Sequence, residues 1–427
     1  MGDEVRIAVL GAQGDGVTED GALFVPGALP GERVRVARLP GAEGPARARL
    51  LEVIEPAPER QLARCVHYGA CGGCSLQHAD DALVAGWKRG LVEEALAARL
   101  GPEAAAAVEI RENVTVPAAS RRRIALSARR TKKGATLGFR REQSDEIVAV
   151  TECPVARPAL AEAVPRLQEL VRLLASRKGA LRLTLVDTPA GVDCAVEGAK
   201  PLDGPATALL AGAATRAGLA RLSVEGEPVV TRAPPTERLG RAEVVLPPGG
   251  FLQPSAEGAA TLVALVVEAL ALETLRPRRK GLARVADLFA GIGTFSLPLA
   301  EAADTDAFEL EEPALAALDA AWRQAGLPGR VRCERRNLFQ RPLVGPELEP
   351  YDAVAIDPPR AGARMQSEAL ARSGVRRIAS VSCNPATFAR DAKILVDGGY
   401  RLRWVAPVDQ FRWSPHMEVV AAFWRDD

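Results

Sequence analysis

The chain has 427 residues, which exceeds the usual size of one compact core and predicts two to four domains. Hydrophobic residues make up 48% and charged residues 26% of the chain, a composition that excludes a largely disordered protein. There is no apolar run of about 18 residues and no signal pattern at the N-terminus. We therefore expect a cytoplasmic protein without a membrane partner.

The net charge of +1 excludes a polycation, but the basic residues are concentrated in one segment. Between residues 120 and 141 no residue is acidic and nine are basic, namely Arg121, Arg122, Arg123, Arg129, Arg130, Lys132, Lys133, Arg140 and Arg141. Such a cluster predicts contact with phosphate groups. A solvated basic face without a ligand explains it equally well.

The first 100 residues divide into three parts. Residues 4–54 are short apolar runs separated by turn signals, a pattern that predicts a small β-barrel. Residues 59–80 are rich in Cys, Gly and His and poor in apolar residues, so we expect a loop held by a metal. From Ala82 to Leu100 apolar residues recur at helical spacing, and Gly101-Pro102 is a typical helix end.

The pattern changes near residue 247. Residues 105–245 combine strands with a helix at about 158–176, which predicts an α+β domain with an antiparallel sheet. After the turn at 247–250, an apolar helix at 259–275 and a basic linker at 276–281 lead into regular alternation of strands and helices. This alternation predicts a doubly wound sheet.

A glycine loop follows the first strand of this alternation. Gly291 and Gly293 let the backbone approach a ligand closely, and Glu309 ends the next strand, where a carboxylate can bind both hydroxyls of a ribose. The loop lacks the third glycine of a dinucleotide site and the Lys-Ser/Thr pair of a P-loop. Asp287 would repel a pyrophosphate but suits the cation of S-adenosylmethionine. We expect a nucleoside-type cofactor, with a purely structural glycine turn as the alternative.

Three further strand ends carry reactive residues. Asp357 is followed by two prolines and by Arg360, where amino-group methyltransferases have an aromatic residue, so N-methylation is disfavoured. Cys383 stands just before a helix that Pro385 can begin, and the helix N-terminus is expected to lower the pKa of its thiol. Glu418 opens the last strand beside apolar residues, which predicts a raised pKa and a general base. The alternatives are an inert buried cysteine and a surface carboxylate.

Together these motifs resemble the RNA 5-methyluridine (uracil-C5) methyltransferases. In the C-terminal half the resemblance lies in DLFAGIGTF, DPPRAG, SCNP and the closing DQF with H-x-E. Residues 7–34 are similar to the TRAM module of the large-subunit rRNA members. The cysteines that resemble those enzymes' [4Fe-4S] site are Cys65, Cys71, Cys74 and Cys153.

The resemblance implies S-adenosylmethionine as methyl donor and assigns roles to individual residues. Cys383 is implied to be the nucleophile that adds to uracil C6, and Glu418 the base that removes the C5 proton. The implied cofactor contacts, with the glycine loop added, are Gln253, Phe289, Gly291, Gly293, Thr294, Glu309, Asn337 and Asp357. The four cysteines are implied to hold a [4Fe-4S] cluster, and zinc is the alternative.

Other side chains are expected to have structural roles, and three positions depart from the family pattern. His67 and His78 are interpreted as non-ligands, and Cys194 and Cys333 as core residues. Ser255 stands where the family has Asn, and Ala307 replaces the first residue of a Gly-Val-Glu strand end. The segment DQFRWSPHME lacks the usual Pro-His-Thr, which bears on RNA choice more than on chemistry.

The implied fold class is multidomain α/β. We expect a TRAM-like β-barrel RNA-binding module at 1–56 and a cysteine-rich segment with its helix at 57–101. An iron–sulfur-bearing α+β central domain at 102–246 and a Rossmann-like class I methyltransferase domain at 247–427 follow. The expected partner is RNA, with 23S rRNA favoured, and the expected state is a monomer. A tRNA T-loop enzyme and a non-catalytic RNA-binding or assembly factor remain alternatives.

Overall fold

The computed structural model describes residues 2–39, 46–132, 134–142, 144–278 and 280–425. Lys133 of the basic segment and Arg279 of the basic linker lie outside the described residues. None of the helices described is long and apolar enough to cross a membrane.

The N-terminal strands form a closed barrel in the order β1-β2-β3-β5-β4. Their bounds are Asp3–Leu10 (β1), Gly16–Thr18 (β2), Leu23–Val25 (β3), Arg33–Arg38 (β4) and Ala46–Glu55 (β5). Inward and outward residues alternate along β4, because successive side chains of a strand point to opposite faces. Val34 and Val36 are fully buried and face the barrel core. The predicted barrel is confirmed.

A long helix links the barrel to the rest of the molecule. The elements that follow the cysteine segment are Asp81–Leu100 (α1), Pro102–Ala106 (α2), Glu109–Ile110 (β6) and Val114–Thr115 (β7). Asp80 begins α1 by accepting a hydrogen bond from the amide of Leu83 at 2.7 Å, and Gly101 ends it with a φ of 89°. The helix predicted from Ala82 to Leu100 is therefore confirmed.

The central part of the chain is a seven-stranded sheet in the order β10-β9-β8-β11-β12-β13-β14. Its strands are Arg123–Arg130 (β8), Ala135–Arg140 (β9), Ile147–Ala149 (β10), Ala180–Thr188 (β11), Gly191–Glu197 (β12), Leu219–Val224 (β13) and Glu227–Thr231 (β14). Its helices are Pro158–Ala163 (α3), Gln168–Leu174 (α4) and Gly204–Arg216 (α5), and a hairpin of Thr236–Leu239 (β15) and Ala242–Val245 (β16) follows.

Two features of this part differ from the sequence prediction. The sheet is antiparallel except for β12 and β13, which are parallel because α5 carries the chain back across the sheet. The helix predicted at 158–176 is divided by a 3₁₀ turn, Val164–Leu167. Pro165 lies in this turn, and a proline lacks the amide hydrogen that a continuous helix would need.

The C-terminal part is a doubly wound sheet, as predicted. Its strands are Ala283–Leu288 (β17), Ala303–Glu309 (β18), Val331–Arg335 (β19), Ala353–Ile356 (β20), Arg377–Ser382 (β21), Arg401–Asp409 (β22) and Glu418–Trp424 (β23). Its helices are Ala256–Leu270 (α6), Ser296–Leu299 (α7), Glu312–Ala325 (α8), Arg364–Ala371 (α9) and Pro385–Asp397 (α10). The order is β19-β18-β17-β20-β21-β23-β22-β6, so the winding direction reverses between β17 and β20.

The first helix of this part is shorter than predicted. The apolar pattern predicted a helix at 259–275, but α6 begins earlier because the Ser255 hydroxyl caps it, accepting from the amide of Gly258 at 3.0 Å. It ends at Ala271, which has a φ of 43°, and a 3₁₀ turn follows. Ser255 thus performs at this helix end the capping that an Asn would also perform.

The predicted boundary at residue 102 does not follow the sheets. Both β6 and β7 pair with β22 of the C-terminal sheet, although the sequence assigned them to the central domain. Val92 and Leu96 of α1 pack in the same core as Phe388 and Leu395 of α10. Apolar packing therefore places α1 and the segment after it on the C-terminal sheet.

Candidate active site

The sheet brings three predicted site residues to one edge. Asp357 follows β20 and Cys383 follows β21, and the carboxyl ends of these parallel strands lie at the same edge. Glu418 begins β23, which runs antiparallel to β21 with Ser382 opposite Val419. Cys383 and Glu418 are the next residues beyond this last pair, and the charge of Glu418 acts on the Cys383 thiol. The thiol and both carboxyls therefore meet beside the point where the winding reverses.

The thiol of Cys383 is harder to ionise than the sequence predicted. Burial raises its pKa to about 11, and the negative charges of Glu418 and Asp357 add to this rise. The prediction of a lowered pKa is wrong, because burial and these two charges outweigh the effect expected from the N-terminus of α10. The Asn384 side chain accepts the hydrogen bond of the Ala386 amide at 3.0 Å.

Glu418 is buried at the start of β23 and accepts a hydrogen bond from a glutamine to which the sequence assigned no role. Burial raises the pKa of its carboxyl well above the usual value, and the charge of Asp357 raises it further, in the direction predicted. The Gln410 amide donates to Glu418 Oε1 at 3.4 Å and to Gln253 Oε1 at 2.7 Å. Gln410 is the Gln of the DQF motif, but the sequence did not indicate its partners because they come from tertiary packing.

Two carboxyls form the deepest part of the crevice. Burial raises the pKa of Asp287 to about 7, even though the Ser296 hydroxyl donates to its Oδ2 at 2.5 Å. Burial and the charge of Asp287 also raise the pKa of Asp357, which accepts from the Gln253 amide at 3.4 Å. Asp287 Oδ1 is buried without a partner among the described residues. A cationic ligand would supply that partner and relieve the repulsion between the carboxyls.

Several residues of the glycine loop have positive φ angles, which glycine tolerates and bulky residues rarely adopt. Gly291 and Gly293 have φ of 56° and 93°, and a Cβ at Gly293 would meet Leu318 at 2.8 Å. Phe289 has a φ of 66°, which is unusual for a bulky residue. Thr294 is buried at the end of the loop. The loop is therefore held in a strained shape, and such strain is characteristic of ligand sites.

Glu309 and Asn337 lie beside this loop. The Glu309 carboxylate accepts the amides of Gly291 at 3.0 Å, Leu310 at 2.6 Å and Glu311 at 2.9 Å. Asn337 Oδ1 accepts the amide of Phe339 at 3.1 Å. This bond presents the half-exposed Phe339 ring to Phe289, with 5.4 Å between the ring centroids. Two aromatic rings and a carboxylate at a strand end suit a nucleoside, and the sequence did not indicate Phe339.

Residues 410–417, here called the closing loop, connect β22 to Glu418. Trp413 lies at its centre, is almost fully buried and has a φ of 60°. Its carbonyl oxygen accepts the amides of Ser75 at 2.9 Å and Leu76 at 3.0 Å, directly after the cysteines at 71 and 74. Lys88 of α1 also reaches this loop, with its ammonium 2.6 Å from Asp409 Oδ1. The cysteine segment and α1 therefore both support the segment that enters the active site.

The four predicted cluster cysteines are brought together by hydrogen bonds between distant segments. The Val66 amide donates to Glu152 at 3.2 Å, and His67 contacts Thr151 at 3.0 Å, so the chain before Cys153 lies against Cys65. Burial raises the pKa of the thiols at 65, 71 and 74, and the charge of Cys153 raises each further. Within the described ranges, no three His, Cys, Asp or Glu side chains are grouped so as to hold one metal ion.

The remaining cysteines and histidine have other surroundings. Cys194 is fully buried in the central core, as predicted. Cys333 is only half-buried at the edge of a small apolar cluster, so the prediction that it is a core residue is confirmed only in part. The ring of His78 contacts the Tyr68 hydroxyl at 2.5 Å, and burial lowers the pKa of this histidine to about 4.

The basic segment is only partly a surface. Arg122 is 2% exposed and forms an ion pair with Glu237 at 2.5 Å. Arg121 is mostly buried, and its guanidinium lies 5.6 Å from the centroid of the Phe411 ring in the closing loop. Arg140 and Arg141 are exposed but pair with nearby acidic residues. Arg122 is therefore structural, whereas contact of the rest of the segment with phosphate stays a prediction.

Comparisons with known proteins agree with this geometry. Residues 333–424 match the model of a family described as tRNA (Uracil-5-)-methyltransferase. An RNA methyltransferase of Brucella melitensis is 43% identical over 98% of this chain and 97% of its own length. The 23S rRNA (uracil(1939)-C(5))-methyltransferase RlmD of Alkalilimnicola ehrlichii is 33% identical over 99% of this chain and 96% of its own length.

A solved structure has the same fold over nearly the whole chain. It is the Pyrococcus abyssi tRNA (uracil-54, C5)-methyltransferase in complex with S-adenosyl-L-homocysteine. The two chains superpose with a TM-score of 0.75 at 24% identity, covering 98% of this chain and 99% of the other. At that identity the likeness establishes the arrangement of barrel, central sheet and C-terminal sheet.

Proposed function

The chain belongs to the S-adenosylmethionine-dependent RNA uracil-C5 methyltransferases, and we propose that its target is one uridine of 23S rRNA. The 33% identity to an RlmD over almost the entire length supports an rRNA target. The tRNA enzyme of similar structure is only 24% identical, so its substrate carries less weight. The observation that supports the chemistry is the position of Cys383 and Glu418 at one sheet edge, directly beyond the last pair of β21 and β23 and close enough for the carboxyl charge to act on the thiol.

The roles proposed for the site residues follow from their positions. The Cys383 thiolate adds to C6 of the uracil, which places electron density on C5. S-adenosylmethionine supplies an electrophilic methyl group, which C5 takes up. Glu418 then removes the C5 proton, the bond between Cys383 and C6 breaks, and the aromatic ring is restored. A uridine inside a helix cannot reach this crevice, so the target must be flipped out.

The cofactor is proposed to lie along the glycine loop. Asp287 and Asp357 offer negative charge to its cationic groups, and Glu309 offers its carboxylate to the ribose hydroxyls. Gly291, Gly293 and Thr294 allow close approach of the backbone. Phe289 flanks the base, and Asn337 and Gln253 fix neighbouring groups by the hydrogen bonds described above.

Cys383 must lose its proton before it adds to C6. The negative charge of Asp357 is one cause of the raised pKa of that thiol. A cationic cofactor beside Asp357 would offset this charge and lower the pKa of the thiol. Cofactor binding would in this way prepare the nucleophile.

We further propose that Cys65, Cys71, Cys74 and Cys153 hold a [4Fe-4S] cluster. The folding of Cys153 against the cysteine segment and the donation of the Gly73 amide to the Cys71 sulfur at 3.4 Å support this. A four-iron cluster is larger than one ion, so it does not require side chains grouped around a single point. Iron and sulfide in anaerobically purified protein, with broad absorbance near about 400 nm, would agree with a cluster. One zinc without sulfide would refute it.

The target can be identified by mapping 5-methyluridine in rRNA and tRNA from cells that lack this protein. Loss of one 23S rRNA modification, restored by the wild-type gene and not by Cys383→Ala, is the expected result. Loss of a tRNA T-loop modification instead would replace the rRNA proposal with the tRNA alternative. No loss in either RNA would contradict both targets.

A further inference from the structure

A buried lysine lies behind the active site. Lys88 is fully inaccessible to solvent on α1, where a charged side chain is costly unless its donors are all satisfied. Its ammonium lies 2.6 Å from Asp409 Oδ1, 2.8 Å from the carbonyl oxygen of His416 and 3.4 Å from that of Phe411. All three acceptors belong to the end of β22 and the closing loop, more than 300 positions away in sequence.

Through these contacts the Lys88 ammonium holds both ends of the closing loop. Asp409 is the last residue of β22, and His416 lies two residues before Glu418. Between them, Gln410 donates to Glu418 and to Gln253, so a shift of the loop moves the hydrogen bonds of the base. The loop has no helix or strand of its own between β22 and β23. Its shape therefore depends on outside partners.

The helix that carries Lys88 also packs against the opposite side of the crevice. On the same helix, Val92 and Leu96 pack with Phe388 and Leu395 of α10, the helix that follows Cys383. One rigid element thus contacts the helix after the nucleophile and the loop before the base. A displacement of about 1 Å between reacting groups is enough to slow a reaction by about 100-fold.

We propose that Lys88 is a positioning residue, which holds the closing loop so that Glu418 faces the nucleophile. The acceptors of its ammonium given above, among the described residues, lie at the end of β22 and in the closing loop, so it acts on the base through that loop. This proposal rests on the proposed function for its kinetic consequence, but its structural consequence can be measured without RNA.

The test compares Lys88→Met, the charge-neutral double variant Lys88→Met/Asp409→Asn, and Lys393→Met as control. Lys393 forms an exposed ion pair with Asp397 on α10, so its loss removes a lysine without touching the loop. The single variant leaves a buried carboxylate unpaired and is expected to be unstable, whereas the double variant removes both charges. Hydrogen exchange of residues 410–417, affinity for S-adenosylhomocysteine and turnover of substrate RNA are measured for each.

The double variant is expected to fold and to bind S-adenosylhomocysteine within about twofold of wild type. Its loop amides should exchange at least about tenfold faster, and kcat should fall about 100-fold with little change in KM. If the double variant regains both loop protection and kcat, Lys88 only stabilises the fold and the proposal is overturned. Failure of the double variant to fold also overturns it. A wild type that does not methylate the chosen rRNA refutes the target alone, because loop exchange still decides the role of Lys88.

Discussion

At the residue scale, the site contains one nucleophile and one base whose roles can be separated. Glu418→Gln should still allow Cys383 to add to C6 and C5 to accept the methyl group, but the C5 proton then stays. The expected product is a covalent protein–RNA adduct that carries the new methyl group. With methyl-labelled cofactor, denaturing gels should show a shifted, labelled band for Glu418→Gln and none for Cys383→Ala.

Cys383→Ala should abolish turnover while the affinity for S-adenosylhomocysteine stays nearly unchanged, because the thiol acts on the base. Retention of more than a few per cent of wild-type turnover would refute the nucleophile assignment. Free turnover by Glu418→Gln without an adduct would transfer the role of base to another group. Asp357 is then the nearest candidate, since its pKa is also raised by burial.

Gln410 should set the pH at which Glu418 works. Its amide donates to the ionised carboxylate and so lowers a pKa that burial and the charge of Asp357 keep high. Gln410→Leu removes this donor, and the pKa of Glu418 should rise further. Because the base must be ionised, decay of the adduct should slow at low pH and recover at high pH.

The matched control for this variant is Gln366→Leu. Gln366 is equally buried but donates to the carbonyl of Leu343, away from the crevice. The Gln366→Leu variant should lower the stability of the fold without shifting the pH dependence of adduct decay. A Gln410→Leu profile that is depressed equally at every pH would show that Gln410 only packs the loop.

The sequence revealed the site residues whose neighbours follow from a regular element. Cys383 and Glu418 could be predicted because a strand end fixes where the next side chain points. Lys88 and Gln410 could not, since their partners are set by tertiary packing of a loop without a periodic pattern. The pKa of Cys383 was mispredicted because the sequence does not show how deeply the thiol is buried or that Glu418 and Asp357 lie close to it.

At the element scale, the long apolar patterns were sufficient to predict the barrel, α1 and the alternating strands and helices of the C-terminal sheet. Short elements were not: β6 and β7 have two residues each, and only pairing with β22 defines them. The parallel pair in the central sheet escaped prediction for a related reason. Strand direction follows from where a crossover helix packs, and local composition does not encode this.

The link between the cysteine segment and the closing loop leads to a prediction at this scale. Ser75 and Leu76 bond to the Trp413 carbonyl, so release of the cysteine segment should free the loop. Cys74→Ser, which disturbs this segment, should speed hydrogen exchange in residues 410–417 by about tenfold. Affinity for S-adenosylhomocysteine should change little, because the hydrogen bond from Gln410 links this path to one proposed cofactor residue, Gln253. Cys194→Ser in the central core is the control, and equal loop exchange in both variants would contradict the link.

At the scale of the whole molecule, the cofactor should stabilise the fold more strongly as pH rises. Burial raises the pKa of Asp287 to about 7 and also raises that of Asp357. A carboxyl with a raised pKa binds more protons in the folded state than in the unfolded state. Between the unfolded pKa near about 4 and the folded pKa, stability without ligand therefore falls as pH rises.

A cationic ligand reverses this trend because it favours the ionised carboxylates and must displace their protons at low pH. Sinefungin, an analogue of the methyl donor that carries an amine in place of the sulfonium, should raise the melting temperature more at pH 8 than at pH 5.5. Asp287→Asn should flatten this difference, whereas Asp319→Asn, which removes an ion pair with Arg323 on α8, should leave it intact. Equal stabilisation at both pH values in wild type would show that the ligand's charge does not lie against these carboxyls. The cofactor would then have to be placed by the glycine loop and Glu309 alone.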